Sequence, residues 1–444
     1  MKKSLLILLF TCWALFFAAF RPVMPFAAET AAFPDGTPVT GGRILMGTIG
    51  EPSNLIPYMA SDSASGEITG LLYVAPLKYD KDLNVVPWAA ASYEVLEGGR
   101  LLRFVLRDDI RWEDGVPLTA DDVEFTYKLM IDPKTPTAYS GDFLAIESFK
   151  KTGRLSFEVR YAKPFARSLM TWMGAILPKH VLEGQDIMTT PVARKPIGAG
   201  PYRLAKWDAG SMLTLTASDT YFEGRPNLDE VVYRIIPDPS TMFLELKAGK
   251  LDMMSLSPQQ YLRQTQGPQW ERDWRKYRYL SFSYTFLGFN LEHPFFKDVR
   301  VRRAISMAID RQSLIDGVLL GQGVPTVGPY KPGTWAYNDK LTPVRQDVDE
   351  ARRLLDEAGW KKDKDGLLER DGKPFLFTIL VNQGNDSRIK AAIIIQSQLK
   401  ALGITVHIRT VEWAAFIKEF VNKGHFDAII LAWTITLDPD IYDV

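Results

Sequence analysis

The residues of this chain best suited to recognising another molecule are grouped in its last third. Asn382, Asn385 and Arg388 supply two amides and a guanidinium; Glu412 and Trp413 follow, and the run from Trp433 to Asp438 closes the set. Amides and hydroxyls make directional hydrogen bonds, indoles offer flat apolar platforms, and a guanidinium grips a carboxylate through its planar fork. That chemistry holds a solute; it does not transform one. The motifs of covalent and phosphoryl chemistry are missing: there is no G-x-S-x-G elbow, no G-x-x-x-x-G-K-[ST] loop and no H-E-x-x-H pair. Gly198-Ala199-Gly200 lacks the third glycine of a dinucleotide fingerprint and runs into Pro201, which suits a turn. The Asp108-Asp109 pair reads as a polar turn, and Asp122 as a helix cap. His180, His293, His407 and His425 are scattered, and Cys12 is the single cysteine. No internal disulfide, Cys-built metal site or cofactor is expected.

The recognition residues need elements to place them, and the local pattern supplies these. Residues 375–381 read as a strand, 387–402 as a helix closed by Gly403, and 404–411 as a second strand. Another helix over 413–423, closed by Gly424, leads to a third strand over 426–433. This β-α-β-α-β order predicts a parallel sheet whose strands deliver their carboxyl ends to one edge. Ligands of open α/β sheets lie just outside that edge. Residues 382–388, 412–413 and 433–438 all fall there. Upstream, Asp298 is expected to cap a helix to Ile309, and Asp347 or Asp349 another ending at Gly359.

The first two-thirds mixes strands and helices without simple alternation, as α+β or interrupted domains do. Strands are expected over 101–106, 156–161, 213–218, 231–237 and 282–291. Thr119 and Asp122 form a capping box for a helix that stops before Pro133. Ser240 is the expected cap of a short helix ended by Gly249. Trp112, Trp172, Trp207 and Trp360 read as core or edge packing.

At 444 residues the chain suggests two or three domains. With 53 basic and 53 acidic residues, nothing in its charge points to nucleic acid. Lys2 and Lys3 precede an apolar stretch over 5–20, and small residues follow at Ala27 and Ala28, the shape of a secretory signal over 1–28. Without Lys2, Lys3 and Arg21 the mature chain carries 50 basic against 53 acidic residues. The expected product is a soluble protein of the periplasm, with an uncleaved membrane anchor as the alternative.

Five stretches, in order, carry a resemblance. They are Gly50-Glu51-Pro52-Ser53-Asn54-Leu55-Ile56-Pro57-Tyr58; the run from Trp112-Glu113-Asp114-Gly115 to Val123; and Gly198-Ala199-Gly200-Pro201-Tyr202. Asp298-Val299-Arg300-Val301-Arg302-Arg303-Ala304-Ile305 follows, and Glu412-Trp413 with Trp433 leading to Asp438-Pro439-Asp440 is last. Together they resemble the family 5 extracellular solute-binding proteins, the receptors of peptide- and nickel-type ABC importers. The resemblance implies an α/β, two-lobed periplasmic binding protein fold of class II type, with mixed sheets flanked by helices. It implies lobe I from 29–75 plus 195–288, an inserted domain over 76–194, and lobe II from 289–444, incomplete at its end. The implied partners are a peptide or similar small polar solute and ABC permease subunits in the inner membrane, with the receptor itself a monomer.

Pocket positions carried over from the family are Ser61, Ser63, Asn382, Asn385, Arg388, Trp413, Trp433, Thr434 and Thr436, with Asp438 as a further candidate. Six of them have a plainer alternative: core packing for Trp433, packing under its own helix for Trp413, a solvated helix turn for Arg388, and loop geometry for Ser61, Ser63 and Asp438. In peptide-binding relatives an aspartate at the position of Thr436 accepts the peptide's amino terminus. A threonine cannot supply that charge-assisted bond. Either Asp438 takes the role or the ligand lacks a free amine, and the second reading is preferred. Two other classes of function remain in view: an exported hydrolase, which would need turnover, and a chaperone-like binder, which would bind without saturating one site.

Overall fold

Strand β1 (Arg43–Thr48) opens the first sheet of the computed structural model, which describes residues 38–435. The signal segment, Thr436 and Asp438 therefore lie outside the described residues. Helix α1 (Ser63–Leu72) follows β1, and then a four-stranded antiparallel sheet is built from β2 (Ala90–Leu96), β3 (Leu101–Leu106), β4 (Ile146–Lys151) and β5 (Ser156–Tyr161), in the order β2-β3-β5-β4. Helix α2 (Ala120–Ile131) lies between β3 and β4, and its capping box is present: the Asp122 carboxylate accepts from the Thr119 amide at 2.8 Å. Strands β6 (Tyr202–Asp208), β7 (Met212–Ala217) and β8 (Glu230–Ile235) then return to the first sheet, ordered β1-β8-β7-β6. β1 and β8 are parallel and the other pairs antiparallel. In β7, Leu213, Leu215 and Ala217 are buried while Thr214 and Thr216 are not, the period of two that one covered face imposes.

One buried cluster runs from Leu55 through Phe104, Trp112 and Trp172 to Ile235, joining this sheet to the 76–194 region. A separate cluster, from Phe296 to Ile430, serves the second half. Trp112, Trp172 and Trp360 are all core residues, at 0%, 3% and 1% exposure.

The second half opens with β9 (Ser283–Phe289), α4 (Val299–Ala308), α5 (Arg311–Leu319) and α6 (Val348–Glu357). Asp298 caps α4 and Asp347 caps α6. Then come β10 (Leu376–Asn382), α7 (Asp386–Lys400), β11 (Thr405–Val411) and β12 (Ala428–Thr434), in the sheet order β9-β12-β10-β11. β10 is parallel to both β11 and β12, as the β-α-β-α-β pattern requires, and β9 runs antiparallel on the outer side of β12. β10 is buried along most of its length because it is covered on both faces, which explains an apolar run interrupted only by Thr378 before Asn382. Gly359, Gly403 and Gly424, expected as stops, have φ of +87°, +90° and +65°, the left-handed conformation that ends helices. Among the described residues no helix is long and apolar enough to cross a membrane.

Two expectations are corrected. Asp238, not Ser240, caps helix α3 (Pro239–Lys247), accepting from the Thr241 amide at 2.7 Å; with Pro239 at the first helical position the cap falls two residues earlier than expected. The helix expected over 413–423 is a single α-turn, Trp413–Ala415, running into a π-helix, Phe416–Val421. Such wide turns are frequent where a helix start is shaped for function.

The Trp112–Gly115 turn carries a pH-dependent cost. Burial pushes the Glu113 carboxyl up from 4.5 to about 7, with Arg203 opposing the shift and Asp114 adding to it. The folded form therefore keeps a proton that the unfolded chain releases. Below pH 4.5 both states hold it and no cost appears; from 4.5 to about 7 stability falls as pH rises, and the deficit stays above that. Glu113→Gln is expected to match the wild type in urea midpoint at pH 4 and to exceed it at pH 8. Equal midpoints at pH 8 would remove Glu113 as the source.

Candidate functional site

β10, β11 and β12 end at one edge, with Asn382 level with Val411 in the β10–β11 register. Asn382 is fully buried, and its side-chain amide donates to the Gln383 carbonyl at 3.1 Å. Its Oδ1 accepts from an Arg388 guanidinium nitrogen at 2.7 Å. Arg388 comes to that position because Asn385 caps α7, its Oδ1 accepting the Arg388 amide at 3.0 Å. The guanidinium also stands 5.9 Å from the Trp413 ring centroid, within cation–π range. Among the described residues no carboxylate pairs with it, and burial pushes its pKa down to about 10.

Trp413 is fixed by Glu412, whose carboxylate accepts the Ala414 and Ala415 amides at 2.9 and 3.0 Å. From there the indole crosses to the other half of the molecule. Its Nε1–H points at Asp62 Oδ1 at 3.4 Å, and a Cβ on Gly50 would sit 2.7 Å from Trp413 Cβ. Gly384, with φ of +80°, makes a second crossing: a Cβ there would collide with the Pro237 carbonyl oxygen and lie 3.3 Å from Ile49 Cβ. Both halves thus meet through the loops that follow β1, β8, β10 and β11.

Trp433 packs over the same sheet face as Trp413. Ile429, Leu431 and Trp433 alternate on that face of β12, and Ile429 and Leu431 share a cluster with Phe416 and Trp413. The Trp433 ring lies 6.4 Å from Phe286 at 14°, and it is 39% exposed. Thr434 is exposed beside it. Ser61 and Ser63 are exposed at the start of α1, while the residue between them, Asp62, is buried. The structure therefore brings Asn382, Asn385, Arg388 and Trp413 together and sets Ser61 and Ser63 on the facing half, around Asp62. On the other side of Arg388 a cavity of about 790 Å³ opens between β9, α5 and the first turn of α7. Arg311, Lys331 and Arg388 line it, and among the described residues no acidic side chain does.

Sequence reasoning missed Asp62, Gly50, Glu51 and Gly384. Asp62 carried a signal, an Asp-x-x-Ser spacing that marks a helix cap; its approach to Trp413, 351 positions away, carried none. Glu51 accepts from Trp207 Nε1 and from the Gly210 amide, each at 3.0 Å, and the Arg194 guanidinium lies 3.8 Å over the Trp207 ring. Trp207 is thus part of the polar rim beside Gly50, in addition to its packing.

The family profile described as bacterial extracellular solute-binding proteins, family 5 Middle, matches residues 84–443. The oligopeptide-binding protein AppA of Bacillus subtilis (strain 168) is 34% identical over 419 residues, spanning 92% of this chain and 76% of that protein. The structure of Bacillus subtilis AppA in complex with a nonapeptide superposes with a TM-score of 0.86 at 33% identity, covering 92% of this chain and 82% of that one. NikZ from Campylobacter jejuni, in complex with Ni(L-His), does so with a TM-score of 0.77 at 27% identity, covering 90% and 79%. The two halves described above are the two lobes of a periplasmic binding protein fold, and the chain belongs to the family 5 bacterial extracellular solute-binding proteins.

Proposed function

We propose that this protein is the receptor of an ABC importer that captures a peptide or similar small polar solute bearing an anionic group between its lobes. The observation that carries this reading is Arg388: a desolvated guanidinium at the sheet edge, held by Asn382, flanked by Trp413 and lacking a carboxylate partner among the described residues. A cation placed at that cost calls for an anion, which in this reading the ligand supplies. The adjoining 790 Å³ cavity is of the size that small ligands occupy. The complexes of AppA with a nonapeptide and NikZ with Ni(L-His) support the ligand class.

In this proposal the ligand touches Asn382, Asn385, Arg388, Trp413, Trp433 and Thr434 from lobe II and Ser61 and Ser63 from lobe I, with Thr436 and Asp438 completing the pocket. Lobe I comprises 29–75 and 195–282, the inserted domain 76–194, and lobe II the remainder from β9 at 283, whose pairing with β12 moves the boundary forward from the expected 289. The signal over 1–28 exports the chain to the periplasm. There it works as a monomer by binding alone and delivers its ligand to an inner-membrane permease. Ligand that contacts both lobes favours their closure by its differential affinity.

A melting-temperature screen tests the reading. At a hundred times its Kd a specific ligand stabilises by about 2.7 kcal/mol, a rise of several degrees that follows concentration. Unmodified peptides, sugars, opines and metal chelates form the panel, with peptides or other anionic solutes expected to respond. Silence across the panel would overturn the proposal. Thr436→Asp refines it: dipeptide affinity that appears only in this variant means the native ligand has no free amine.

A further inference from the structure

We propose that Trp413 is the latch between the lobes and that Asp62 and Gly50 are the positioning residues that seat it. The inference rests on the binding reading above only in taking closure to be useful; the contact itself stands on lobe geometry.

Asp62 is 5% exposed, and its carboxylate is oriented before the other lobe arrives. Oδ1 accepts the Ser65 amide at 2.9 Å as the cap of α1. Oδ2 accepts the Ser65 hydroxyl at 2.8 Å and also the Ser53 hydroxyl. Ser65 Oγ in turn accepts the Ser53 amide at 2.9 Å, so the cluster is tied to the segment after β1. These donors leave Oδ1 with a second lone pair, and the donor aimed at it is Trp413 Nε1 of lobe II. The 3.4 Å separation is long for an N–H···O bond, so its contribution is direction more than strength.

Gly50 is the independent observation. Trp413 Cβ, Cγ and Cδ1 lie 2.7, 2.9 and 3.0 Å from where a Gly50 Cβ would be. Gly50 does not occupy the left-handed region, so its own backbone tolerates a side chain. What forbids one is the indole of the facing lobe. Real Cβ atoms do not approach carbon this closely, so any side chain at 50 would push Trp413 off Asp62. On its far side the indole meets Arg388 at 5.9 Å, which links the lobe contact to the cation of the binding edge. A latch seated in this way reports closure to Arg388 through one rigid ring.

The test measures the distance between lobes in the full mature chain, where Cys12 is the one native cysteine and is removed with the signal. Spin labels on Lys206→Cys and Lys390→Cys, both exposed positions, report on lobes I and II without added ligand. The wild type is expected to show a population at the short separation found here. Gly50→Ala and Trp413→Ala are each expected to reduce it about tenfold, and the double variant no further, because both remove one contact. Trp413→Phe, which loses only the N–H, is expected to give part of the loss. Asp62→Asn keeps an acceptor and a good cap and is expected to retain the population. Absence of the short separation in the wild type, equal populations in all variants, or multiplicative loss in the double variant would each overturn the proposal. None of these outcomes depends on whether the panel of solutes yields a ligand, so the two readings fail separately.

Discussion

Arg388→Met is expected to lower affinity for the best-stabilising panel solute on the order of a hundredfold, while the ligand-free melting temperature moves by a few degrees at most. The affinity term is large because truncating one member of a buried charge pair costs about 2–5 kcal/mol, much of it from the partner left unpaired. The stability term is small because two effects oppose each other. Losing the guanidinium leaves Asn382 Oδ1 buried without its donor, a cost of about 1–3 kcal/mol. Against that, the fold no longer holds a desolvated cation that has no carboxylate partner among the described residues. Arg388→Lys keeps the charge but not the planar fork and should fall between the two. Calorimetric titration of the three proteins, with a melting curve for each, decides the matter. A Kd within threefold of wild type in Arg388→Met would place the ligand elsewhere.

Gly198→Ala is expected to be among the most destabilising single substitutions in the chain, by about 3 kcal/mol or more. A Cβ there would overlap the Leu72 carbonyl oxygen at the end of α1. At Gly200 a Cβ would lie 2.5 Å from the Leu71 oxygen and 2.6 Å from the Leu72 carbonyl carbon. Backbone atoms cannot swing aside as side chains do. The approach is held by hydrogen bonds, from the Gly200 amide to Leu72 O and from the Glu113 amide to Gly198 O, each 2.9 Å. Neither glycine is needed for a left-handed φ; both are needed for closeness. Gly66→Ala is the control: it lies in the same helix with nothing within 4 Å of its added Cβ, and should stabilise by about 0.5–1 kcal/mol. Urea denaturation of both variants checks the contrast. Similar midpoints for the two would mean that α1 can retreat from the 198–200 turn. The link to function is direct, because the other end of α1 carries Asp62.

Much of the fold was legible locally. The Thr119–Asp122 box, the Asp298 and Asp347 caps and the glycine stops at 359, 403 and 424 are set by hydrogen bonds within a few residues of each other. Such signals survive in the chain order and need no tertiary context. The failures were of two kinds. A proline moved the cap two residues, from Ser240 to Asp238, a local rule applied to the wrong residue. The π-helix at Phe416–Val421 has no local signature, because its apolar residues suit an ordinary helix equally well.

Read alone, the chain determined its family likeness, its parallel α/β unit and the loops at the carboxyl edge of β10, β11 and β12. Those follow from periodicity, caps and motifs, which are properties of neighbours in sequence. Only the tertiary structure decided that Asp62, flanked by two exposed serines, is the buried partner of Trp413, and that Gly50 and Gly384 are small because another lobe's atoms stand where a side chain would go. It also decided that Arg388 reaches Asn382 and the Trp413 ring and meets no carboxylate among the described residues. Desolvation and close approach depend on what lies across space, and a linear order carries no record of that until the chain has folded.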